Sequence, residues 1–344
     1  MHTTDALNDE TRGIAISHAG ERHPLSRPLD ALLSEMELPL RRRFFPLGYP
    51  VEIMTNHPSV LTAAEQSFGH ARLARRSTAL RVCIGIVPGN VSACPSEPVR
   101  REFNNLFSLV ADAENQALLD LKTGVNFTWL TLAAIANTLY FRCNFLEKVV
   151  YLLLGSTVVT DMHAACVSKH AKGVLLCGNS GAGKSTLAYA CARHGWTYTS
   201  DDTSYLINDS DPPRVIGHCH RARFRPSSSE LFPELVSRPL TPRMEGKPSI
   251  EVLTSELPVQ HTAAEATVDA VVYLNRYAEA VPRLKALPIG AATSRARQDL
   301  FSAGEIRAKH EATLAKLWDI PAYDLDYCGL EDGIRLLDRL VREI

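Results

Sequence analysis

The feature that most constrains this chain is the run Gly178-Asn179-Ser180-Gly181-Ala182-Gly183-Lys184-Ser185, set between two apolar stretches of different period. Ahead of it, residues 173–177 form a β-branched and leucine run that predicts a buried strand. Behind it, Leu187, Ala188, Cys191 and Ala192 recur at helical spacing and predict a helix over 184–193. Strand, glycine loop and helix in that order make the P-loop pattern, and every fixed position is filled. Its glycines let the main chain fold into a nest of N–H groups aimed at phosphate oxygens, which side-chain bulk would block. The helix start adds the positive end of its dipole, Lys184 can reach the β and γ phosphates, and the Ser185 hydroxyl can hold magnesium. Gly178, Asn179, Ser180, Gly181, Ala182, Gly183, Lys184, Ser185 and Thr186 are therefore the expected nucleotide site. An ordinary glycine turn is the plainer alternative, but it does not require all the fixed positions with both flanking elements. The pattern alone does not choose between kinase, NTPase and switch.

Residues 196–200 predict the next strand, which ends in Asp201 and Asp202. In an open α/β sheet, ligands bind at the carboxyl ends of strands, which puts both carboxylates beside the phosphate loop. Phosphoryl transfer needs a metal, positioning and a base; one aspartate can complete a magnesium shell with Ser185 and the other can take a proton from an incoming hydroxyl. A solvent-facing turn is the competing reading, since aspartate is common in turns. His163 opens the strand before the phosphate-loop strand, and a single histidine there also reads as a structural residue. In His218-Cys219-His220, alternating ligands on a strand would point to opposite faces, so no metal is expected there.

At these residues the chain resembles the catalytic domain of HPr kinase/phosphorylase and the diverse HPr-kinase-like proteins related to it. The stretches His163-Ala164-Ala165-Cys166-Val167 and Lys172-Gly173-Val174-Leu175-Leu176-Cys177, the phosphate loop, Gly195-Trp196 and Ser200-Asp201-Asp202 carry the resemblance over about 40 residues. It implies a P-loop domain of the HPr kinase and phosphoenolpyruvate carboxykinase type that uses ATP and magnesium to phosphorylate a serine. Within it Asp202 would be the base, Lys184 and Ser185 the phosphate and metal contacts, His163 a catalytic neighbour, and Asp201 an aid to metal or acceptor. The chain departs from the family at His220-Arg221-Ala222-Arg223-Phe224-Arg225-Pro226, where a glutamate-containing, glycine-rich signature would stand. Arg223, Arg225, Gly246 and Lys247 loosely resemble an arginine strand and a Gly-Lys strand of divergent relatives, which would bind the acceptor or γ phosphate. Surface charge explains them equally. The classical family forms hexamers, so a homo-oligomer is allowed.

Composition bounds the remaining classes. The 344 residues suffice for two domains, and 37 basic against 38 acidic side chains leave no cationic field for nucleic acid or an anionic membrane. Eight cysteines lie singly, without zinc spacing, as expected for small buried residues of a reducing cytoplasm. Arg142, Asn144, Glu147 and Lys148 divide the most apolar stretch, 127–159, so two buried helices over 127–140 and 145–154 are expected rather than a membrane span.

The expected organisation is a flexible tail over 1–28, a smaller N-terminal α/β domain over 29–155 and the P-loop domain over 156–344. In the N-terminal domain, helices are expected over 29–38 and through residue 68, strands over 51–54 and 80–86, and a loop over 92–105. Further strands are expected over 157–160, 163–167, 268–274 and 322–326, with a closing helix over 331–342. The expected activity is an ATP- and magnesium-dependent kinase acting on a serine or similar hydroxyl of a peptide, protein or small metabolite. A non-catalytic or slow nucleotide-binding regulatory module is the alternative, and a plain NTPase the third. Retention of both aspartates argues for chemistry.

Overall fold

The computed structural model describes residues 32–90, 93–241, 248–279, 281–298, 300 and 304–344. The expected tail, the first part of the helix placed at 29–38, and Gly246 and Lys247 lie outside them.

Among the described residues, the first half of the chain builds a seven-stranded sheet in the order β1-β2-β3-β7-β6-β5-β4. Its strands are β1 (Leu40–Phe44), β2 (Val51–Thr55), β3 (Leu80–Val87), β4 (Val99–Phe103), β5 (Leu106–Val110), β6 (Gln116–Asp120) and β7 (Val125–Thr131). Helix α1 (Pro58–Phe68) starts on the His57 cap and Pro58, and its Val60, Ala64 and Phe68 are buried against this sheet.

Three expectations fail here. Residues 125–131 form a central strand rather than the start of a helix, because Val125, Phe127 and Trp129 alternate with Asn126 and Thr128 in a β-branched and aromatic run that suits a pleated sheet. The expected loop at 92–105 contains β4, an exposed edge strand that pairs only with β5 in this sheet. Residues 32–38 are turn and bend rather than helix.

The chain then runs through α2 (Leu132–Ala136), α3 (Thr138–Phe141), a π turn (Arg142–Leu146) and α4 (Glu147–Thr157). Phe141, Phe145, Val150 and Leu154 of this irregular helix are buried in the same core. From there the order is β8 (Val159–Met162), β9 (Ala164–Lys169), β10 (Lys172–Cys177), α5 (Lys184–Arg193), β11 (Thr197–Ser200), β12 (Ser204–Ile207), β13 (Arg214–Ile216) and β14 (Arg221–Phe224). It continues through β15 (Leu240–Thr241), β16 (Ser249–Leu253), β17 (His261–Thr262), β18 (Glu265–Thr267), β19 (Ala270–Arg276) and β20 (Arg283–Ala286). Helices α6 (Ile289–Gln298) and α7 (Gly304–Ala315), strand β21 (Ala322–Tyr327) and helix α8 (Leu330–Glu343) close the chain.

Strands β17-β11-β9-β10-β19-β21-β20 form the second large sheet, so the fold is mixed α/β. One face is covered by α5 and α8, whose Leu187, Ala188, Cys191, Ile334, Leu337 and Val341 meet Val174, Leu176, Tyr198 and Val272. Fully burying each such aliphatic side chain contributes roughly 1.5–3 kcal/mol. Asp338 pins α8 to the sheet by accepting from Lys169 Nζ at 2.6 Å and from the buried Trp196 Nε1 at 3.0 Å. No helix among the described residues is long and apolar enough to cross a membrane.

Candidate functional site

Strand β9 is antiparallel to both its neighbours, β10 and β11, with Ala164 opposite Cys177 and Cys166 opposite Ser200. The start of β9 therefore lies at the same sheet edge as the ends of β10 and β11. His163 precedes β9, Gly178 follows β10, and Asp201 and Asp202 follow β11, so the pairing alone gathers residues spread over 40 positions.

The glycine loop is bent through left-handed conformations at Gly178, Gly181 and Gly183, with φ of 146°, 91° and 96°. At Gly183 a Cβ would also sit 2.8 Å from the Tyr327 hydroxyl, so both backbone and space demand glycine there. Lys184 opens α5 and is only 6% exposed. Its ammonium donates to the carbonyls of Gly178 at 2.7 Å and Asn179 at 3.3 Å, and stands 2.9 Å from His163 Nε2. The other ring nitrogen of His163 is 3.5 Å from Asp202 Oδ1. An ammonium can only donate, so His163 Nε2 accepts and Nδ1 carries the proton towards Asp202. Lys184, His163 and Asp202 thus form one chain along the mouth of the loop.

The two aspartates have different surroundings. Asp202 is part-exposed and lines the space over the glycine loop. Asp201 is 7% exposed, and its Oδ2 accepts from the main-chain amide of Arg223 at 2.6 Å. Its carbonyl accepts from the Ser185 hydroxyl at 3.1 Å. Through Oδ2 the carboxylate expected to join Ser185 around a metal also ties β14 against the end of β11. Asp202 is the carboxylate among the lining residues of the cavity, beside the hydroxyls of Ser180, Ser185, Thr186, Ser227 and Ser228.

Beyond the loop, β14 pairs with β16 and sets Arg223 opposite Glu251. Glu251 accepts from Arg223 Nε at 3.0 Å and also pairs with Arg221, while Arg225 donates to Ser180 Oγ of the loop at 3.1 Å. Burial acts to lower the pKa of Arg223, but Glu251, Asp201 and Glu147 outweigh it and hold the guanidinium above its ordinary value.

Two cavities meet here. One, of about 350 Å³, lies over Gly181, Gly183, Lys184, Ser185 and Thr186, with Arg276 at its side. The other, of about 460 Å³, lies over Arg221, Arg223 and Glu251 and is walled across by Leu139, Arg142, Cys143 and Glu147 from the irregular helix. His163, Ser180, Ser185, Asp202 and Arg225 line both.

His218, Cys219 and His220 occupy the turn before β14 rather than a strand. Burial pushes the pKa of His218 and of His220 down to about 3, and the His220 ring packs against His70 at 3.5 Å between centroids, with the rings tilted by 37°. Among the described residues, no group of three or more His, Cys, Asp or Glu side chains is arranged to hold a metal ion.

Sequence reasoning missed Glu251, Arg142, Glu147 and Arg276. Only Arg276 carried a readable signal, since it stands at the carboxyl end of the strong strand after the phosphate-loop helix.

No known family matches the chain, and no curated protein matches it. Among solved structures, the Hpr(Ser) kinase/phosphatase from Coxiella burnetii matches at 13% sequence identity and a TM-score of 0.30, over 54% of this chain and 99% of that chain.

Proposed function

We propose that the chain is an ATP-dependent phosphotransferase of the HPr-kinase-like type, which moves a γ-phosphate onto a serine or similar hydroxyl of a peptide, protein or small metabolite. The observation that carries this reading is the chain from Lys184 through His163 to Asp202, lying where the phosphate-loop cavity opens into a second cleft. A switch or a plain NTPase needs the loop, but neither needs a carboxylate facing a separate cleft.

In this reading the glycine cradle, with Asn179, Ser180, Ala182 and Thr186, holds the phosphates. Lys184 offsets their charge from inside the fold. The residues present fit magnesium: the Ser185 hydroxyl lines the loop cavity and offers a hard oxygen, and such an ion completes most of its shell with phosphates and water. Bound there, magnesium would neutralise charge on the transferring phosphate.

Transfer forms a bond from the acceptor oxygen to the γ-phosphorus and breaks the bond to the β–γ bridging oxygen. The electron pair of that broken bond leaves with the diphosphate, and the acceptor's proton passes to the Asp202 carboxylate. His163 orients Asp202 through its Nδ1 proton. Asp201 acts one step back, by fixing β14 and, through its carbonyl, the Ser185 hydroxyl.

The test is incubation with γ-labelled ATP, magnesium and lysate from the source cells. Label is expected in a discrete acceptor and is lost in Lys184→Ala and in Asp202→Asn. Steady release of inorganic phosphate with no labelled acceptor would replace the kinase reading with an NTPase, and nucleotide binding without turnover would replace it with a regulatory module.

A further inference from the structure

The second cleft has an asymmetric wall. Along β14 the burial alternates, with Ala222 and Phe224 inside and Arg221 and Arg223 towards the cleft. Arg225 follows with extended backbone, φ −67° and ψ 150°, which keeps the alternation going. Residues two apart on a strand share a face and lie about 6.6–6.8 Å apart, so three guanidiniums form a row that ends at the phosphate loop. Arg225 closes the row on Ser180 of the loop. Glu251 gives one oxygen to each of Arg221 and Arg223, and Asp201 and Glu147 also act on Arg223. Across the cleft Arg142 and Glu147 pair with each other at 2.8 Å and add no net charge. Around the whole cleft Arg142, Arg221, Arg223 and Arg225 stand against Glu147, Asp202 and Glu251, which leaves one positive charge in excess, carried by the row that ends at the phosphate loop.

Resting on the phosphotransferase reading above, we propose that the acceptor is anionic: a hydroxyl compound bearing a carboxylate or phosphate that Arg223 and Arg221 bind about one strand repeat from the reacting oxygen. Arg225 serves the phosphate side of the junction, and Glu251 holds the two inner guanidiniums in place until the acceptor's anion shares them. Guanidinium forks suit carboxylate and phosphate oxygens because both offer paired acceptors in a plane. The cleft volume suits a few residues of an extended peptide or a small hydroxy acid.

The experiment uses the full chain loaded with ADP and magnesium, and two fluorescein-labelled probes, Glu-Glu-Ser-Glu-Glu and Lys-Lys-Ser-Lys-Lys, followed by anisotropy. The acidic probe is expected to bind at least about tenfold more tightly, in line with hydrogen bonds to charged groups, and to weaken as salt rises. Arg223→Met keeps the stem's packing and should remove most of that preference. Glu251→Gln frees both guanidiniums and should tighten binding of the acidic probe, a gain that misfolding cannot imitate. Citrate that competes with the probe supports a small-molecule anion, and citrate that does not compete supports an acidic peptide segment; each agrees with the charge rule.

Equal binding of the two probes, or a Glu251→Gln protein no tighter than wild type, would overturn the inference. ADP affinity measured in the same samples separates the two claims. Normal ADP binding with no charge preference sinks the anionic acceptor alone. A clear preference with no γ-phosphate transfer to any lysate acceptor sinks the kinase reading alone.

Discussion

The two adjacent aspartates should fail in opposite ways when truncated. Asp201 is 7% exposed and its Oδ2 is bonded to the Arg223 amide at 2.6 Å, so Asp201→Ala strips a part-buried N–H of its acceptor. Leaving such a group unsatisfied costs about 1–3 kcal/mol, which for a unit of 150–250 residues lowers Tm by about 2–4 °C per kcal/mol. Asp202 has a side chain 39% exposed, and its recorded partner is His163 at 3.5 Å, itself 42% exposed. Exposed pairs of that kind contribute about 0–1 kcal/mol, so Asp202→Ala should stay within about 0.5 kcal/mol of wild type. Activity should invert the order. Loss of a general base lowers transfer by about 10²–10⁴-fold, so Asp202→Ala should bind ADP normally and transfer almost nothing. Asp201→Ala keeps the carbonyl that anchors Ser185 and should retain measurable transfer at a temperature well below its lowered midpoint. Urea unfolding, calorimetric ADP binding and initial transfer rates on the three proteins make the comparison. If Asp202→Ala unfolds as early as Asp201→Ala, or if Asp201→Ala matches wild-type stability while abolishing transfer, the division of labour between the pair is wrong.

Three further outcomes follow from the geometry. Gly183→Ala forces a side chain into φ of 96° and towards the Tyr327 hydroxyl, so ADP affinity should fall about tenfold. Tyr327→Phe should restore part of the loss in the double variant, read by titration calorimetry. His218 is half-buried beside Tyr151, Tyr205, His220, Arg221 and Arg223, and its folded pKa is depressed to about 3 from 6.5. The unfolded chain therefore binds the extra proton between these values. Stability should be full above pH 6.5 and fall towards pH 3, by up to about 1.4 kcal/mol per pH unit for this group, with His218→Phe flattening the slope in urea titrations at stepped pH. Asp338→Ala breaks the bonds to Lys169 and Trp196 that dock α8 and should cost about 1–3 kcal/mol in the same assay.

What the sequence made legible was local. The helix over 184–193 and the strands around 51–54, 80–86 and 322–326 all follow from period and caps within a dozen residues. The strand at 125–131 was misread because it is buried on both faces, so Asn126 and Thr128 sit inside beside Trp129 and Leu130 and the run resembles a buried helix. Strand β4 was hidden by its exposure, since an edge strand of Val99, Arg100, Arg101, Glu102 and Phe103 shows no apolar face. In the site, His163, Lys184 and Asp202 could be nominated from order along the chain. That β9 runs antiparallel between β10 and β11, which is what brings the three together, is a matter of pairing over long separations. Glu251 and the Arg142–Glu147 pair could not be found in advance, because their relation to the phosphate loop exists only once β16 and the irregular helix are folded around it. The sequence also named Asp201 without showing which way it turns.

The most direct measurement is a crystal structure with magnesium and a non-hydrolysable ATP analogue. The account predicts phosphate oxygens within hydrogen-bonding distance of the main-chain amides between Gly181 and Ser185, with Asp202 facing the terminal phosphorus from the side of the second cleft. An analogue bound elsewhere, or a terminal phosphate that turns away from Asp202 into closed protein, would contradict it.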